Sequence, residues 1–85
     1  MINKTEHTVA WALWVMELDE AKEHLEGLIK KLTQDVMDEA EFAVEMGHIY
    51  AHLNRVWHSR SQDSETTDEQ WPVFSQFPKD LKPVG

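Results

Sequence analysis

Apolar residues recur along the first part of the chain at alternating steps of three and four: Trp11, Trp14, Leu18, Ala21, Leu25, Leu28 and Leu32. That spacing is the seam of a helix packed against another helix. Phe42, Met46, Ile49, Leu53 and Val56 repeat the same alternation further on. The pattern predicts two long helices, over about residues 6–32 and 36–60. Lys30 and Lys31 suit the end of the first, where the helix dipole favours cations. Thr33 or Asp35 can cap the second, and Asp38, Glu39 and Glu41 crowd its first turns, as a helix N-terminus prefers. Gly27 costs about 1 kcal/mol relative to alanine inside a helix, and its missing side chain would permit close backbone approach. A break at residues 33–36 therefore folds the chain into an antiparallel hairpin. The alternative is one rod from about residue 8 to 60, because both seams share one heptad phase; it would put Asp35 and Glu39 in the seam.

Residues 9–16 are apolar on every side (Val9, Ala10, Trp11, Ala12, Leu13, Trp14, Val15, Met16), and one neighbouring helix cannot cover them all. The expected architecture is all-α, an antiparallel helical hairpin dimerising into a four-helix bundle. Trp11, Trp14, Leu18, Leu25, Phe42, Met46, Ile49 and Leu53 are the expected subunit contacts. Residues 61–70 contain no apolar side chain and read as a polar linker. Residues 71–85 carry three prolines, which argue against a regular helix. They also carry Trp71, Phe74, Phe77 and Leu81, too apolar for a free tail. The expectation is an extended arm docking those four side chains on the hairpin, in its own subunit or a partner's.

With 85 residues the chain makes one domain, and so small a domain is marginal as a lone monomer. The net charge of −8 argues against nucleic acid and anionic membranes as partners. The chain has no cysteine, which excludes disulfides and thiolate metal sites and suits a reducing cytoplasm. The N-terminal residues lack the pattern of a signal peptide, and the longest apolar run is far short of a membrane span. The expected partner is a second copy, or else another protein.

Candidate chemistry lies in two polar stripes. Glu17, Glu20 and His24 share one face of the first helix; Glu41, Glu45, His48 and His52 share one face of the second, and Arg55 extends it. With the turn near Gln34, residues whose numbers sum to about 68–70 face each other in an antiparallel pair. That sets Glu17 against His52, Glu20 against His48 and His24 against Glu45. Carboxylates mixed with imidazoles suit Mn, Fe or Zn better than Mg. Glu45-Met46-Gly47-His48 is the Glu-x-x-His step that di-iron carboxylate bundles use, and His48 and His52 are spaced to share one ion. Glu17, Glu20, His24, Glu45, His48 and His52 are thus candidate ligands. The plainer reading is interhelical ion pairing, worth about 0–1 kcal/mol per exposed pair, with no cofactor. No catalytic nucleophile or phosphate-binding loop can be assembled.

At Val15-Met16-Glu17-Leu18-Asp19-Glu20-Ala21 and Glu45-Met46-Gly47-His48-Ile49-Tyr50 the chain resembles the MazG-like all-α nucleoside-triphosphate pyrophosphatases. That family carries a Glu-x-x-Glu step on one helix and a Glu-x-x-Asp step on the next. The resemblance implies Mg at Glu17, Glu20, Glu45 and His48, with His48 in the place of the final carboxylate, where it weakens Mg binding. The leading expectation is a non-catalytic, homo-oligomeric interaction protein. The alternative is a metal-binding helical bundle or a degenerate MazG-like pyrophosphohydrolase.

Overall fold

The computed structural model describes all residues 1–85. Two long helices, α1 (Thr8–Gln34) and α2 (Glu39–His58), pack antiparallel as a hairpin, and a one-turn helix, α3 (Gln70–Phe74), follows. There are no strands. The single-rod alternative is excluded. The turn consists of residues 35–38, a little later than the spacing predicts. Asp35 is extended, with φ −151° and ψ 173°, and its N–H still reaches the Lys31 carbonyl. Neither Thr33 nor Asp35 caps α2. Asp38 does, its Oδ1 accepting from the Glu41 N–H at 2.8 Å. Asp38 stands directly before the first turn of α2, where its side chain reaches the orphan N–H groups and two acidic side chains, Glu39 and Glu41, follow.

The shift resets the register. The turn centre lies midway between Gln34 and Glu39, so facing residues sum to about 73 rather than 68–70. The expected Glu17–His52 pair survives, but the others move. His24 meets the His48 ring at 4.0 Å between centroids, not Glu45. Glu20 lies 3.5 Å from His52, not beside His48. Glu45 pairs instead with Lys31 at 3.1 Å.

Every other element of the seam points inward. Ala21 and Leu28 of α1 and Ile49 and Val56 of α2 are buried, and these four with Ile2 are the whole buried apolar core. The Trp14 indole donates to the Val56 carbonyl at 2.8 Å, spending its polar atom inside the hairpin. That leaves Trp14 a packing residue between the two helices. Nothing lies within 4 Å of a Cβ built on Gly27, so that glycine serves no close approach within the chain. The N-terminal segment closes one end: Ile2 is buried, and its N–H donates to the Arg60 carbonyl at 2.8 Å.

The C-terminal residues return along α2. Trp71 lies under the Arg55 guanidinium, 4.0 Å from its ring centroid. Phe74 stacks on His58 at 5.5 Å and Phe77 meets Tyr50 edge-on at 5.1 Å. Asn54 donates to the Ser75 carbonyl, and the Trp57 indole donates to Asp80. That indole bond holds the Asp80 carboxyl below its usual range. The segment is not extended throughout: α3 forms one turn despite Pro72. The ring is tolerated there because a first-turn residue has no intrahelical N–H bond to lose.

Candidate functional site

Helices turn about 100° per residue, so the two flanks of the hairpin carry different residues. On one flank, Glu17, Glu20 and His24 of α1 face His48, His52 and Arg55 of α2. Arg55, only 6% exposed, is the hub. Its Nε donates to Glu17 Oε1 at 2.7 Å, its Nη1 donates to Ser75 Oγ at 2.8 Å, and its plane covers Trp71. Glu17 Oε1 also meets His52 Nδ1 at 2.9 Å. Arg55 Nη2 approaches the same nitrogen at 3.2 Å. Both contacts cannot be hydrogen bonds, since one needs a proton on Nδ1 and the other a lone pair. The shorter contact, to a carboxylate, decides: Nδ1 carries the proton and donates to Glu17. The neutral ring then has its lone pair on Nε2. That atom is buried and has no hydrogen-bond partner. Leaving such an atom unpaired costs about 1–3 kcal/mol.

Three imidazoles gather at this point. The His24, His48 and His52 centroids lie 4.0, 5.2 and 4.9 Å apart, pairwise. One ring nitrogen from each falls within 4.8 Å of the others. Glu17, Glu20 and His52 form a second group of the same spread. His48 is exposed on its outer side, but its ring packs against two others. Loss of water from the ring, then the positive charge that His24 and His52 carry when protonated and the Arg55 guanidinium, hold its pKa below the ordinary histidine value; Glu45 pulls the other way. His48 therefore stays neutral at neutral pH. Five of the six residues singled out from the stripes are in these two groups. Glu45 is outside both, on Lys31. A cleft of about 280 Å³ opens beside the Glu17/Glu20 end, lined by Trp14, Arg55, Gln62 and Trp71 among others.

The other flank has no polar stripe. Leu18, Leu25 and Leu32 follow one another at seven-residue steps on α1, with Ile29 beside them, and all are exposed. Phe42 and Leu53 of α2 are exposed on the same side of the hairpin, with Met46 half-buried between them. Antiparallel helices place these two sets together, because both lie clockwise of the contact line on one helix and counter-clockwise on the other.

No family model, curated protein or solved structure matches the chain.

Sequence reasoning did not find the central place of Arg55. The signal was the continued step from His52 to Arg55 along the stripe. Its partners Ser75 and Trp71 lie too far along the chain for spacing to reveal them.

Proposed function

We propose that the protein is a self-associating helical interaction module, in which a second copy covers the Leu18/Leu25/Leu32 and Phe42/Leu53 flank to complete a four-helix bundle. The carrying observation is area. The chain exposes 6616 Å², whereas a compact monomer of this mass exposes about 5,200 Å². The excess of about 1,400 Å² suits a partner interface, which buries about 800 Å² on each side in the standard case. Stable domains pack two layers of secondary structure, and this hairpin is one layer. A second copy supplies the other with a self-complementary flank, as two-fold symmetry requires. Trp11, on the same flank of α1, belongs to the contact; Ile49, buried beneath it, supports it. The acidic balance and the lack of cysteine suit the cytoplasm, and nothing in the reading calls for catalysis.

Sedimentation equilibrium of the untagged full chain tests this. The expected result is a dimer at micromolar concentration. Leu25→Glu, at an exposed position where the helix tolerates it, should yield a monomer of unchanged helicity. A wild-type chain that is a well-folded monomer throughout the micromolar range overturns the reading. So does a Leu25→Glu variant that dimerises like the wild type.

A further inference from the structure

We propose that His24, His48 and His52 bind one divalent transition-metal ion of the zinc type, and that Glu17 and Glu20 serve as the carboxylates that orient His52. The two helices bring the three rings together without any ion pair among them. His52 carries the argument. It is 5% exposed, its Nδ1–H donates to Glu17 Oε1 at 2.9 Å and Glu20 lies at 3.5 Å. With the proton on Nδ1 in the neutral ring, Nε2 carries the lone pair; that atom is buried and without a partner. A histidine whose one nitrogen is held by a carboxylate while the other presents a lone pair is how proteins prepare an imidazole for a metal, since the carboxylate fixes the tautomer and raises ligand basicity. His24 is half-buried and His48 exposed, so both rings have room to turn. The three nitrogens now lie within 4.8 Å of one another. Tetrahedral zinc, with Zn–N of about 2.0–2.1 Å, wants them closer, and ring rotation at His24 and His48 provides the closing movement. One coordination position is left for water.

The chemistry of the donors selects the ion. Neutral nitrogen ligands suit Zn, Ni, Cu and Co and are poor for Mg and Ca, which take oxygen. The neighbouring Glu17/Glu20/His52 group is the weaker candidate. Arg55 already lies on Glu17 Oε1 at 2.7 Å, so a metal there would have to displace a guanidinium. The site lies within one protomer and on the flank opposite the apolar stripe, so it stands or falls independently of self-association.

Cobalt and zinc titrations of the untagged, chelator-treated full chain test the site. Co²⁺ should bind at one ion per chain and give the visible absorption of a low-coordinate nitrogen site, and Zn²⁺ should displace it. His52→Ala is a poor probe because the residue is buried and its loss strips Glu17. The exposed His48→Ala is the chosen variant. It should keep its helicity and abolish the cobalt spectrum, while His7→Ala, distant in the chain, should bind normally. Glu20→Gln should weaken zinc binding by about tenfold, as loss of a carboxylate behind a ligating histidine does. Three results overturn the proposal: no saturable cobalt or zinc binding by the wild type, unchanged binding in His48→Ala, or binding abolished by Glu20→Gln and untouched by His48→Ala. The last would place the ion at the carboxylate group instead.

Discussion

The two flanks of the hairpin are built from the same heptads yet finished in opposite ways. On the polar flank directional bonds tie the charged side chains to one another and to the C-terminal segment: Glu17 to Arg55 and His52, and Arg55 to Ser75 and Trp71. On the apolar flank the side chains stay partly open to solvent: Leu18 is 38% and Ile29 54% exposed. The difference shows that the returning C-terminal segment could cover only one side of a two-helix layer. It lies against Arg55 and the outer surface of α2, held by directional bonds. The apolar side was left to non-directional burial, which any matching apolar surface can supply.

That contrast can be broken most forcefully at Arg55. Replacing it with alanine takes the guanidinium from the Glu17 carboxylate, leaving it only His52, and frees Trp71. Removing one partner of a buried ion pair costs about 3–5 kcal/mol. Urea unfolding should show a loss of that size; a loss below about 1 kcal/mol, the range of exposed pairs, would mean that Arg55 is not the hub. Leu25→Glu, on the other flank, should act through assembly: the midpoint of unfolding loses its dependence on protein concentration. Trp71→Ala sharpens the distinction. It removes a cation–π contact worth about 0.5–2 kcal/mol, and should destabilise the polar flank while leaving the sedimentation behaviour as in the wild type. The smallest change is a gain. Gly27 has open space around its Cβ position, so Gly27→Ala should stabilise α1 by about 1 kcal/mol. A loss of stability or of assembly in that variant would show that something approaches Gly27 closely in the dimer.

Both long helices were legible in the sequence because their apolar steps never break phase between Trp11 and Leu32 or between Phe42 and Val56. The turn was legible only to within a few residues. Thr33, Asp35 and Asp38 are all good cap residues, and choosing among them depends on backbone angles that composition does not reveal. That small error decided the chemistry. With the turn at Gln34 each acid faces an imidazole; with the turn at residues 35–38 two imidazoles stack and a third joins them. Ile2 and Ser75 were illegible for a different reason. Each acts through long-range contacts that no local pattern encodes: the Ile2 N–H on the Arg60 carbonyl just past α2, and Ser75 on Asn54 and Arg55.

The indole of Trp14 has a consequence beyond packing. A helix ends with carbonyls that lack partners, and at the end of α2 two of these are claimed by side chains: Val56 by Trp14 and Trp57 by the Arg60 guanidinium. The two rods are thus fastened at the end remote from their covalent link as well as at it. They behave as a closed frame rather than as a sprung peg. Extra residues inserted between Asp35 and Asp38 would lengthen the link at a cost of only about 0.6 kcal/mol per doubling of loop length, and the spacing of the rods would persist.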